Sequence, residues 1–263
     1  MKTGISTASL FGKLSTKDAL RFFKQQKVET AEVFLQSFSE YSKKFARRLI
    51  KDVKGLDIHS MHILTTQIEP TLYSQNLVAQ KDSFAILNGV LSAGKGLGAK
   101  NYTFHGGARF KKTPFVLNME SVCRKTDEIC QIAKDYGISI AYENVHWGYY
   151  NYIGFFSQLK KSCPLLKATL DIKQARQSGF SVKDYIDDMG RDIVTVHLSD
   201  VDSQGNMCLP GRGQIDFDEL FSMLKDVGFD GALLIEAYGK DYGDISELIE
   251  SLNFINEKRY KIF

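Results

Sequence analysis

Residues 193–200 read IVTVHLSD: four β-branched residues, then His197 near the carboxyl end. β-branched side chains pack well on a pleated surface and poorly in a helix, so the run predicts a strand. Its near-continuous apolar character predicts burial on both faces, as in a parallel sheet. An imidazole at the tail of such a strand must be hydrogen-bonded or metal-bound. Three further runs carry a carboxylate in the same place: Glu143 in ISIAYENVHW (138–147), Asp171 in LKATLDIKQA (166–175) and Glu236 in GALLIEAYG (231–239). Three acids and one imidazole make a donor set that suits a divalent cation.

Outward from these runs, strand and helix patterns alternate through the whole chain. Strands are expected at 2–9, 30–36, 57–64, 101–106, 138–145, 167–174, 193–200 and 231–238. Helical periodicity occupies 16–26, 39–52, 78–97, 118–136, 216–227 and 244–258, with shorter helices at 153–160 and 181–188. Gly98, Gly137, Gly190 and Gly228 each follow a helical stretch and precede a strand, and Ser15 and Ser181 are placed to cap helices. No proline-rich or low-complexity tract breaks the alternation, so one domain over 1–263 is expected. Eight βα units of about 33 residues each predict a single α/β domain, a closed (β/α)8 TIM barrel. An open doubly wound sheet usually carries a GxGxxG phosphate turn, which is missing here.

The composition fits a soluble enzyme. Of 263 residues 43% are apolar, enough for a large core, and the formal charge of +3 lacks the basic stripe that duplex binding requires. Nucleic acid is therefore not the expected partner; one phosphorylated small molecule would suit the charge better. Cys123, Cys130, Cys163 and Cys208 form no CxxC pair, which points to reduced thiols. The start of the chain lacks a signal-peptide pattern, and no stretch reaches the length of a membrane span. A cytoplasmic location is expected.

In a barrel of this kind chemistry gathers at the carboxyl ends of the strands. His62, His105, Glu143, Asp171, His197 and Glu236 all fall there, with His146 just beyond strand five, while the sequence leaves the placement of His59 open. Several carboxylates on one rim repel one another unless a cation neutralises them.

The motifs YENVH, TLDIKQA, VHLSD, PGRGQIDF and LIEAY, in this order and on these strands, resemble the xylose isomerase-like TIM-barrel superfamily, in particular its sugar phosphate isomerase/epimerase branch. The resemblance covers nearly the whole chain. It implies that Glu143, Asp171, His197 and Glu236 bind one divalent metal, Mn2+ or Zn2+ first, Mg2+ or Co2+ second. It also implies that Glu143 and Glu236 act as base and acid in an isomerisation or epimerisation of a small sugar or sugar phosphate through an enediolate. Endonuclease IV belongs to the same superfamily and holds three zinc ions with extra histidines, two of which His62 and His105 resemble. The rest of its pattern departs: its Asp-x-x-His becomes Asp171-Ile-Lys-Gln174, and its Asp-x-His becomes Gly205-Asn206-Met207. His62 and His105 are thus candidates for a second metal or for substrate hydrogen bonds. A metallo-phosphodiesterase and a metal-dependent lyase stay open beside the isomerase.

Other residues are candidates for substrate contact. His146 and Trp147 offer a wall against a sugar face, extended by Tyr149, Tyr150 and Tyr152, which could equally form a lid or a homodimer contact. Gln174 stands where several ketose 3-epimerases carry histidine, and the arginine they carry soon after the strand-seven histidine has no close match here. Arg109, Lys111, Lys112, Lys173 and Arg212 are candidates for holding a phosphate or carboxylate.

Overall fold

Each of the eight apolar runs forms a parallel strand, and together they close a barrel. In the computed structural model, which describes residues 1–64, 68–109 and 116–263, these strands are β1 (Lys2–Ser6), β2 (Thr30–Leu35), β3 (Asp57–Ile63), β4 (Asn101–Phe104), β5 (Ser139–Glu143), β6 (Lys167–Asp171), β7 (Ile193–Leu198) and β10 (Ala232–Ile235). Neighbours run in the order β1-β10-β7-β6-β5-β4-β3-β2, closing on themselves, so the expected (β/α)8 barrel is the fold. Every residue of β2, β4 and β10 is buried, as expected of parallel strands packed on both faces.

Helices α1 (Thr16–Gln25), α2 (Lys43–Val53), α3 (Leu77–Leu97), α4 (Met119–Asp135), α5 (Phe155–Ser162), α6 (Ile172–Gln177), α7 (Val182–Met189), α8 (Phe217–Asp226) and α9 (Glu247–Ile262) pack around the barrel. Ser15 and Ser181 cap α1 and α7 as expected, the latter in a reciprocal capping box with Asp184. Gly98 ends α3 at φ 86°, a left-handed turn that a side chain would strain.

Several elements depart from the sequence expectation. The first strand stops at Ser6, whose side chain accepts from the Ala8 N–H and starts a 3-10 turn over Thr7–Leu10. The sixth stops at Asp171, whose carboxylate caps α6, so Ile172, Lys173 and Gln174 are helical rather than extended. Helix α2 begins at Lys43 behind the Ser42 cap, and Ser39 lies in a short 3-10 turn. The segment after β7 forms a small antiparallel hairpin, β8 (Asp200–Val201) with β9 (Met207–Cys208), which no periodicity announced. No helix among the described residues is long and apolar enough to cross a membrane.

Candidate active site

Glu143 is the last residue of β5, Asp171 the last of β6, His197 the fifth of β7, and Glu236 follows β10 directly. These four strands are consecutive in the barrel, with Asp171 and His197 in register, so the four side chains converge at one mouth. One ligand atom from each lies within 4.8 Å of those of the other three, and all four residues are buried. His197 Nδ1 stands at the centre: 3.0 Å from Glu143 Oε1, 2.9 Å from Glu236 Oε2 and 4.0 Å from Asp171 Oδ2. The backbone fixes Asp171 tightly. Its Oδ1 accepts from the Gln174 N–H at 2.8 Å, and the Asn144 side chain bridges to its N–H and C=O at 2.8 and 2.9 Å.

Two histidines complete the mouth. His62 lies between Glu32 and Glu236, with Nδ1 3.7 Å from Glu32 Oε1 and Nε2 3.8 Å from Glu236 Oε1; neither nitrogen has a hydrogen bond. His105, just past β4, places Nε2 2.8 Å from Glu143 Oε2 and stacks on Trp147. Its other nitrogen is 3.4 Å from Glu69 Oε2. Glu69 also accepts from the His105 and Gly106 N–H groups at 2.8 and 3.1 Å and from the Tyr102 hydroxyl at 2.6 Å. Gly106 has φ 73°, and a Cβ there would fall 1.8 Å from the Tyr142 hydroxyl oxygen, so this turn beside the site has room only for glycine.

The site concentrates buried negative charge. Glu32, Glu69, Glu143, Asp171 and Glu236 are five carboxylates, each at most 5% exposed, and Lys173 is the buried ammonium beside them. Burial opposes charge on His197, but Glu236, Glu32 and Glu143 outweigh it and hold the imidazole well above its ordinary value. Burial likewise opposes the charge on Glu143 and Glu236, yet His105 lowers the first and His197 both. Asp171 moves the other way: burial pushes it up to about 6, Lys173 pulls against this, and Glu143 and Glu236 add to it. A divalent ion held here would replace the protons that now hold the carboxylates together. Glu143, Asp171, His197 and Glu236 would be its ligands.

A cavity of about 230 Å³ opens onto this cluster, lined by His62, His105, Glu143, Asp171, Gln174 and Glu236 on its polar side and by Phe11, Phe34, Trp147 and Tyr238 among its apolar walls. Other candidates are placed elsewhere. His146 is exposed, its N–H groups donating to Gln174 Oε1 from the ring at 2.6 Å and from the backbone at 3.2 Å. Lys173 is buried, 3.8 Å from Asp171 Oδ2 and over the Tyr238 ring, and does not line the cavity. Tyr150 is a core residue whose hydroxyl donates to Asp188.

Arg212 requires a correction: its guanidinium is paired with Glu247 and Glu250 on α9 instead of facing the cavity. The reason lies in Asp200, whose carboxylate accepts from the N–H groups of Gly211, Gly213 and Ile215 and so folds PGRGQID away as a closed loop. Arg109 is exposed and donates to Asn151, while Lys111 and Lys112 lie outside the described residues. His59 sits low in the barrel, 3.0 Å from Val194 O and from Thr195 Oγ1.

A family model for the xylose isomerase-like TIM barrel matches residues 19–258. The chain belongs to that family. A crystal structure of a zinc-bound IolI protein superimposes with a TM-score of 0.82 at 18% identity, covering 100% of this chain and 99% of the other. A D-tagatose 3-epimerase-like protein gives 0.80 at 20% identity over 100% and 98% of the two chains. D-psicose 3-epimerase of Clostridium cellulolyticum H10, solved with D-tagatose, gives 0.80 at 18% over 98% and 99%. At these identities the likeness is one of fold. An uncharacterized protein of Methanocaldococcus jannaschii is 31% identical over 145 residues, half of this chain, and the match spans 48% of that relative's own length.

Proposed function

We propose that the protein is a metal-dependent isomerase or epimerase acting on a small keto-sugar or sugar phosphate. The observation that carries this reading is the pair Glu143 and Glu236, two buried carboxylates reaching the same atom, His197 Nδ1, at the floor of a cavity sized for a small molecule. The sugar epimerases among the structural neighbours support it, as does the zinc in the IolI neighbour.

Isomerisation and epimerisation both remove a proton from a carbon beside a carbonyl and return one to another carbon or another face. Glu143 and Glu236 can do this as a base and acid pair, since each projects from its own strand end into the same cavity. His105 would hold the far oxygen of Glu143 and so fix which oxygen faces the substrate. His62, with both ring nitrogens free of hydrogen bonds, is placed to bond a substrate hydroxyl or carbonyl. Phe11, Phe34 and Trp147 would exclude water from the exchanging proton. When bound, the divalent ion would polarise the substrate oxygens and offset the negative charge that develops on them. Mn2+ or Zn2+ suits a set of three carboxylates and one imidazole. The cysteines are unbridged, in keeping with a cytoplasmic enzyme.

Glu236→Gln tests the assignment because it keeps the size and one ligating oxygen while removing the proton acceptor. Turnover should fall by about 10²–10⁴-fold with metal content largely retained. Unchanged turnover would remove Glu236 from the chemistry.

A further inference from the structure

The proton-transfer scheme makes no use of Glu32, yet this carboxylate is fully buried inside the barrel directly against His197. It is the third residue of β2, in register with Ser6 of β1 and Ser60 of β3. A β-bulge at this register step lets both His59 and Ser60 reach partners in the barrel interior, the latter toward Glu32. Ser6 Oγ donates to Oε1 at 3.1 Å, and Ser60 Oγ and Thr103 Oγ1 donate to Oε2 at 2.8 and 2.7 Å. Barrel interiors are ordinarily filled by layers of bulky branched apolar side chains. Here hydroxyls from three strands surround a carboxylate instead.

The Oε1 oxygen lies 3.0 Å from His197 Nε2, at ion-pair distance though without an aligned hydrogen bond. The other ring nitrogen, Nδ1, faces Glu143, Asp171 and Glu236. The geometry points to Glu32 as the positioning residue that sets the tautomer of His197. An imidazole lone pair cannot face a carboxylate oxygen at 3.0 Å without repulsion, so Nε2 must carry a proton. When a cation takes the place of the proton on Nδ1, the ring keeps its Nε2 proton and its lone pair lies on Nδ1, the nitrogen aimed at the three carboxylates. Metal-ligating histidines commonly have their second nitrogen held by a carboxylate in this way, which orients the ring and raises its basicity. The three hydroxyls hold Glu32 in place, and the effect reaches the cation only through His197. The inference rests on the reading of His197 as a metal ligand.

The test is zinc affinity, measured by competition with a chromogenic chelator on wild type, Glu32→Gln and Thr103→Val, together with long-range 1H–15N NMR of the His197 ring in the zinc-loaded wild type. The spectrum should show Nδ1 ligated and the proton on Nε2. Glu32→Gln should weaken zinc binding by about 10–100-fold. Thr103→Val removes a hydroxyl contact to Glu32 with little change of shape, and should lower thermal stability while moving zinc affinity far less. Equal losses of affinity in the two variants would mean that Glu32 only ties strands together. Wild-type affinity in Glu32→Gln, or ligation through Nε2, would overturn the inference while leaving the metal centre standing. Failure of the wild type to bind zinc would overturn the metal centre itself. Should Glu32→Gln not fold, the wild-type spectrum still decides between the two tautomers.

Discussion

His197 on β7 and Glu236 beyond β10 stand side by side with Nδ1 2.9 Å from Oε2, and Glu143 Oε1 approaches the same nitrogen at 3.0 Å. Without a cation, a proton on Nδ1 holds this contact together. Burial works against that charge, but the surrounding carboxylates hold the imidazole well above its ordinary value. A metal ion ligated by Nδ1 must displace the proton. Calorimetric titration with zinc near neutral pH, in buffers of different ionisation enthalpy, should therefore show about one proton released per ion bound, and affinity that rises with pH. Binding without proton release would contradict the ligand assignment of His197.

His62 and His105 line the same cavity, and their roles separate by metal content. Burial disfavours the charged form of His105, but Glu143 and Glu69 outweigh it and push the ring up to about 10, so it behaves as a cationic partner of Glu143 rather than a neutral ligand. Replacing both histidines by alanine should leave one ion per chain and raise KM for the substrate. A fall from two ions to one would establish a dinuclear site.

Away from the mouth, Asp192 joins Lys160 of α5 and Lys167 of β6 at 2.9 and 2.7 Å. Burial opposes its charge, yet the hydrogen bonds from Lys167 and Lys160 hold the carboxyl below its ordinary value. The unfolded chain then binds the proton more readily, so this contribution is present at neutral pH and is lost as pH falls through the carboxyl range. Asp192→Asn should cost under about 1 kcal/mol at neutral pH and flatten the acid limb of the urea stability profile. An acid limb identical to wild type would refute the assignment.

The barrel was legible because its evidence is repetitive: each buried parallel strand is an apolar run, and helices α1, α3, α4 and α8 lie within about two residues of their periodic patterns. The same rule that marked Glu143, Asp171 and Glu236, a carboxylate in a buried strand, applies to Glu32 in TAEVFL, where all six residues are buried. Attention to strand ends alone passes over it. Glu69 left no such trace, since it lies in a 3-10 turn whose only local mark is Pro70, and its partners His105 and Gly106 are 36 and 37 residues away. Arg212 misled for a related reason: a glycine-flanked arginine reads as an anion cradle, whereas the loop's N–H groups are already taken by Asp200, at least 11 residues upstream.

Solvent exchange reads proton transfer at carbon directly. Wild-type protein loaded with Mn2+ or Zn2+ should be incubated in deuterated water with a panel of keto-sugars and their phosphates, followed by NMR and mass analysis. A true substrate should gain deuterium at the carbon beside its carbonyl as its isomer or epimer appears, and Glu236→Gln should slow both together. Efficient cleavage of abasic DNA, with neither isomerisation nor label uptake anywhere in the panel, would rule out an isomerase or epimerase in favour of a phosphodiesterase.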